Sequence, residues 1–174
     1  DYGDGRVSRV AFIDQSPRLL TDDGWAMGIY GDFDAARNRD FIRALEADFA
    51  ETVLRLAAQG HNARARSRYQ ENAAGIVRAR AFLRQLDPAP LIECWRSLTE
   101  ADYRAVLGKI RVPALLVYGG ASNFYSTGTA LHVRDSIPNA LLHIYPDVDH
   151  APHLVERERF TRDLLGFLRR PGNE

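Results

Sequence analysis

His150 stands in the run Pro146-Asp-Val-Asp-His-Ala-Pro-His153, directly after an apolar stretch and directly before a helical one. An imidazole gains and loses a proton near neutrality, so a loop that aims one can make it a general base. The same place also suits a loop histidine that only caps the following helix. Asp14, in Phe12-Ile-Asp-Gln-Ser-Pro17, closes a second apolar stretch. Its carboxylate could accept a histidine's Nδ1 proton and orient the ring, or it could close a turn with Ser16 and Pro17. A base and an acid of this kind belong to nucleophilic catalysis, and each strengthens the case for the other. His61, His132 and His153 have weaker contexts, and His143 falls inside an apolar run, where it reads as a sheet residue.

Both residues need strands to carry them. Residues 7–13 form a short β-branched and aromatic run between Gly3 and Gly5 on one side and Ser16-Pro17 on the other. Residues 112–118 form another, stopped by Gly119-Gly120, and residues 140–145 a third, stopped by Pro146. Continuous apolar runs of this length fit strands of a parallel sheet covered on both faces. Between the last two runs, residues 127–137 carry Ala130, Leu131, Val133 and Ile137 at helical spacing. Residues 156–169 then place Phe160, Leu164, Leu165, Phe167 and Leu168 on one stripe. This βαβα order predicts an α/β layer fold. It puts Asp14 and His150 at carboxyl ends of strands, where ligands gather in such sheets.

Residues 18–111 show no strand pattern and read as helices. The strongest covers 34–59, where Phe41, Ile42, Leu45, Phe49, Val53 and Leu56 recur up to Gly60. Further helices are read over 71–86 and 91–98, and Thr99 reads as the N-cap of a last one, with Asp102 three residues on. A crossover between parallel strands needs only about a dozen residues, so an insertion this long predicts a helical cap. The arginine-rich stretch 63–68 reads as a solvated helix approach rather than a phosphate site.

The 174 residues suit one buried core. With 23 basic and 23 acidic side chains the formal net charge is zero, which argues against nucleic acid or an anionic membrane as partner. Cys94 is the single cysteine, so neither an intramolecular disulfide nor a zinc-type spacing is available, and no metal or organic cofactor is expected. No apolar run approaches the roughly 20 residues of a membrane span, and no signal pattern opens the chain, so a cytoplasmic location is expected.

Leu115-Leu-Val-Tyr-Gly-Gly-Ala-Ser122, Ile137-Pro-Asn-Ala140 and Asp149-His-Ala-Pro-His-Leu154 with Phe160 and Phe167 together resemble the C-terminal third of an α/β-hydrolase. Glu93-Cys-Trp-Arg-Ser-Leu-Thr99, Asp102-Tyr-Arg104 and Ile110-Arg-Val-Pro113 resemble its cofactor-free esterase and non-haem haloperoxidase-like branch. The resemblance implies core strand six with a preceding helix tail over 1–17, the helical cap over 18–111, and core strands seven and eight with flanking helices over 112–174. It also implies that His150 is the catalytic histidine. The family's acid most often follows strand seven, but Ser122 stands there, with neutral Asn123 beside it. Some members carry the acid after strand six, so the role falls to Asp14, ahead of Asp147 and Asp149.

The family's nucleophile elbow, Gly-x-Ser-x-Gly, should precede strand six, and none of Ser8, Ser16, Ser67, Ser97, Ser122, Ser126 or Ser136 lies in one. The expectation is therefore the C-terminal portion of an ester hydrolase of Ser-His-Asp type. Its serine and oxyanion hole would lie in an N-terminal part outside this chain, and the chain alone would be inactive. A small ester-like molecule is the expected substrate. Trp25, Met27, Tyr30, Phe33, Trp95, Phe124 and Tyr125 are candidate pocket walls, though each also suits the cap's own core. Haloperoxidase or dehalogenase-like chemistry, or ligand binding without turnover, are the alternatives on the same scaffold.

Overall fold

The computed structural model describes residues 6–170. Three strands, β1 (Val10–Ile13), β2 (Ala114–Gly119) and β3 (Ala140–Tyr145), form a parallel sheet in the order β1-β2-β3. Val10 lies opposite Ala114, and Ala114 opposite Ala140. The expected helix tail over residues 1–9 lies for residues 1–5 outside the described residues, and residues 6–9 are not helical.

Between β1 and β2 the chain forms α1 (Ala35–Ala47), α2 (Phe49–Ala58), α3 (Ala63–Gln70), α4 (Ala74–Leu83), α5 (Pro88–Glu100) and α6 (Arg104–Leu107). Between β2 and β3 lies α7 (Thr127–Ser136), and β3 is followed by α8 (Pro152–Val155) and α9 (Arg157–Leu168). β2 is buried along its whole length. Ala114, Leu116 and Tyr118 pack against Ala130, Val133 and Ile137 on one face, while Leu115 and Val117 pack against Tyr145, Val148 and Phe167 on the other. Two covered faces explain why β2 reads as an unbroken apolar run rather than an alternation. Burying each of Leu115, Leu116 and Val117 contributes about 1.5–3 kcal/mol.

Two readings of the helical region need correction. The single helix expected over 34–59 breaks at Asp48, whose backbone is extended (φ −151, ψ 90). Its carboxylate accepts from the Glu51 amide and so caps α2, because a free amide at a helix start outweighs one more residue of apolar periodicity. Thr99 does not open a helix: it sits near the end of α5, buried, with its hydroxyl bonded back to the Trp95 and Arg96 carbonyls. That back-bonding is the other habit of a threonine hydroxyl in a helix. Asp102 accepts from the Arg104 amide at the start of α6 instead. The arginine-rich stretch is itself helical, as α3, with Asn62 as its cap.

The helical region is fastened to the loop that follows β2. Tyr30 N–H donates to the Phe124 carbonyl at 2.8 Å, Asn62 Nδ2 to that of Ala121 at 2.9 Å, and Asn123 Nδ2 to that of Ala57 at 2.6 Å. Gly60 comes so close that a Cβ there would sit 1.4 Å from the Asn123 carbonyl oxygen. The apolar cluster of this region, built on Ile29, Phe33 and Leu56, takes in Tyr125 as well.

Candidate active site

Asp14 follows β1 directly. Its N–H donates to the Val117 carbonyl at 2.8 Å, extending the ladder by one step, and its φ of 46° then turns the chain aside. A left-handed backbone is uncommon for a residue with a Cβ, and aspartate is among those that tolerate it. The turn points the carboxylate under the end of β2, where it is fully buried.

Its receptor is the start of the β2–α7 loop. The Gly119 N–H donates to Asp14 Oδ1 at 3.1 Å, and the Ser122 hydroxyl lies 2.6 Å from Oδ2. Gly119 and Gly120 are there because another segment crosses them closely. A Cβ at Gly119 would lie 2.2 Å from the Asp149 carbonyl oxygen, and one at Gly120 2.6 Å from that of Pro146. The crossing segment is the loop after β3, pinned by Gly120 N–H to the Tyr145 carbonyl at 2.7 Å and Ala121 N–H to that of Val148 at 3.0 Å. It delivers His150, whose Nδ1 lies 2.7 Å from Asp14 Oδ2.

An ionised carboxylate only accepts hydrogen bonds, so Nδ1 carries the proton and Nε2 is the nitrogen left to accept. The Asp14 side chain is 0% exposed and that of His150 33%, so the pair runs from the interior outward. Such a pair can take a proton at Nε2 and hold the resulting imidazolium against a buried negative charge. Phe124 meets the His150 ring edge-on at 4.6 Å between centroids, and Tyr125 at 5.9 Å. Burial, with the Asp14 charge added to it, pushes the Tyr125 and Tyr118 phenols above their ordinary range. Both therefore stay neutral around the carboxylate.

The structure thus brings Asp14, His150, Phe124 and Tyr125 together. Trp25 and Trp95 have other neighbours. Trp25 is buried against His132 and Arg104, with its indole N–H on the Arg18 carbonyl. Trp95 packs on Phe33 and Phe41 and donates to Asn38 Oδ1 at 2.8 Å. Asp149 accepts from the Ala151 amide and Asp147 is exposed, so neither competes for Nδ1. A cleft of about 920 Å³ opens in the helical region, lined by Tyr30, Phe33, Phe41, Arg55 and Arg66 among others. It adjoins the pair through rings, since Tyr30 stacks on Phe124 at 6.0 Å. Among the described residues no cluster of His, Cys, Asp or Glu is arranged to hold a metal ion, and no helix is long and apolar enough to cross a membrane.

Sequence reasoning missed the part played by Ser122. Read as a departure from the family's acid, it proves to be a direct partner of the acid's carboxylate. Its position, where the family usually has a carboxylate, was the available signal. It also missed that His143 is more than a sheet residue, since its Nδ1 lies 2.9 Å from Asp163.

Solved structures with a similar fold include an esterase from Exiguobacterium antarcticum, with a TM-score of 0.76 and 18% identity over 98% of this chain and 60% of that one. A bromoperoxidase from Bacillus anthracis matches with a TM-score of 0.75 and 18% identity, over 94% of this chain and 58% of that one. The chain has the α/β-hydrolase fold and spans the C-terminal portion of it. Among curated proteins it is similar to the pimeloyl-(acyl-carrier protein) methyl ester esterase of Chromobacterium violaceum, at 29% identity over 94% of this chain and 61% of that protein. The esterase of the same name from Aromatoleum aromaticum is 31% identical over 88% of this chain and 61% of its own length. The chain therefore spans about 61% of the length of these curated relatives. No protein-family model matches it.

Proposed function

We propose that the protein carrying this chain hydrolyses a carboxylic ester through an acyl-enzyme. His150 is the general base and acid, and Asp14 holds it. The observation that carries this reading is the Asp14 carboxylate seated on His150 Nδ1 at 2.7 Å, which frees Nε2 to work. A serine on a Gly-x-Ser-x-Gly turn, supplied by a part of the protein outside this chain, attacks the ester carbonyl and gives its proton to Nε2. The imidazolium, stabilised by Asp14, passes that proton to the leaving alcohol. Water then enters, and the same proton path runs a second time to release the acid.

Residues 18–111 act as the cap, and Phe124 and Tyr125 form the wall nearest the reacting carbonyl. Trp95 supports that wall from within the cap's own packing. The relatives are named for a methyl ester of a carrier-bound acyl chain. The cleft that adjoins Phe124 through Tyr30 carries Phe33 and Phe41 beside the charged Asp32, Arg37, Asp40, Arg55 and Arg66, and its length suits an ester with an extended, partly polar acyl group.

The test is turnover of short p-nitrophenyl and methyl esters by the intact gene product. We expect His150→Ala to lower kcat by about 10⁴-fold or more with the fold retained. A wild-type protein without ester turnover, or a His150→Ala variant as active as wild type, would overturn the assignment.

A further inference from the structure

Tyr30 is held in a conformation that a bulky side chain rarely takes. Its φ of 56° lies in the left-handed region, and Gly31 behind it, with a φ of 78°, continues the turn. A backbone of that kind persists where the surroundings over-determine it, and such places gather at sites that clamp ligands. Here the Tyr30 N–H is on the Phe124 carbonyl, the ring stacks on Phe124 at 6.0 Å and 17°, and the phenol donates to the Leu56 carbonyl. Burial pushes the phenol above its ordinary range, so the proton for that last bond stays in place. Leu56 belongs to the last turn of α2, where carbonyls run out of amides along their own helix.

The ring stands between two spaces. On one side Phe124 meets the His150 ring at 4.6 Å. On the other, Tyr30 lines the cleft of about 920 Å³ together with Phe33, Phe41 and Leu56. The residues that line this cleft stop at Tyr30 and include neither Phe124 nor His150.

We infer that Tyr30 is a gate between His150 and this cleft, and hence the residue that decides how long an acyl group the site accepts. The inference rests on the ester-hydrolysis reading above. With the phenol on Leu56, the stacked rings of Tyr30 and Phe124 close the cleft off, and a short acyl group is handled against Phe124 and Tyr125 alone. An extended one reaches Phe33 and Phe41 only when the Tyr30 ring swings off the Leu56 carbonyl. That carbonyl lies at a helix end, where water can take the phenol's place. The main chain need not move, because the Tyr30 N–H stays on Phe124. Opening costs a hydrogen bond and a ring contact, and the cost falls on long acyl groups only.

The test uses the intact gene product as wild type, Tyr30→Gly and Tyr30→Phe. Glycine removes the ring and adopts a positive φ freely, while phenylalanine keeps the ring and removes the phenol. Each form is given p-nitrophenyl acetate and p-nitrophenyl decanoate, and the quantity read is the decanoate-to-acetate ratio of kcat/KM. Loss of folded protein lowers both rates alike and leaves the ratio where it was. We expect Tyr30→Gly to raise the ratio about 10-fold or more, and Tyr30→Phe to raise it about 3-fold. A Tyr30→Gly ratio that falls, or stays within about 2-fold of wild type, would overturn the gate. A Tyr30→Phe ratio equal to that of wild type would overturn the phenol's part in it.

Binding of decanoate, the acid released from the longer ester, needs no turnover and is read by titration calorimetry. Tyr30→Gly should bind it about 10-fold more tightly than wild type. Tighter binding without ester turnover by any form would support the gate and reject the esterase reading. Ester turnover by wild type, with neither the ratio nor the decanoate affinity changed in Tyr30→Gly, would do the reverse. No turnover and no change in affinity would overturn both.

Discussion

Asp14 is the residue where backbone and chemistry are tied most tightly. Its φ of 46° aims the carboxylate, and that carboxylate collects donors from Gly119, Ser122 and His150. Substitutions there should separate by shape as well as charge. Asparagine tolerates the left-handed region and still offers an acceptor to Gly119. Alanine pays about 1 kcal/mol for the backbone and leaves the buried Gly119 and Ser122 donors unpaired, at about 1–3 kcal/mol each. We expect Asp14→Ala to unfold at a clearly lower urea concentration than Asp14→Asn, although both lose activity. Equal midpoints would mean that the left-handed turn is not what the aspartate is needed for. The sequence shows Asp14 and His150 as strand-end residues, but it does not show that they meet. Their contact depends on a left-handed turn and on two glycines that let one loop cross another.

At the scale of elements, the strands are legible because β2 is covered on both faces and its apolar run is stopped by glycines. The helical region is less so. Phe41, Leu45, Phe49 and Leu56 keep one period across two helices, and only Asp48 with Glu51 three residues on betrays the break between them. Trp25 and Trp95 read equally well as wall or core, because an indole at helical spacing serves either.

The link between β3 and α9 illustrates a contact that no periodicity reveals. Asp163 accepts from Tyr145 at 2.8 Å and pairs with His143 at 2.9 Å, with Arg159 3.9 Å away. Burial pushes the Asp163 carboxyl up, but the hydrogen bonds from His143 and Tyr145 outweigh it and hold the pKa below the usual value. A pKa lowered by folding gives stability that is present above about pH 4 and is lost as pH falls through the still lower folded value. Asp163→Asn should therefore cost about 1–2 kcal/mol near neutrality, with the gap to wild type closing on acidification. Urea midpoints measured across that pH range read it directly, and a gap that persists in acid would assign the loss to packing.

For the molecule as a whole, β1 pairs only with β2 among the described residues, so its other edge carries unpaired backbone groups. Beside it lies an apolar groove of about 360 Å³ lined by Phe12, Leu98, Tyr103, Val106 and Tyr118 among others. Unpaired edges and exposed apolar grooves drive association. Expressed by itself, the chain should grow in apparent mass with concentration when followed by light scattering, while the intact gene product keeps a fixed mass. A chain that stays monomeric throughout would show that this edge is protected by other means.

The Asp14–His150 contact joins residues 136 positions apart, one directly after β1 and the other in the loop after β3, with β2 between those two strands. It can form only after the long helical excursion has closed and both parallel pairings have found register, since a slip of one residue in β1 would turn Asp14 to the opposite face of the sheet. Contacts this distant form late in folding, after the local helices. Time-resolved folding should therefore find the imidazole environment native only in the last phase. The chain would have its helices well before Asp14 meets His150, and a misregistered sheet would leave the two residues apart.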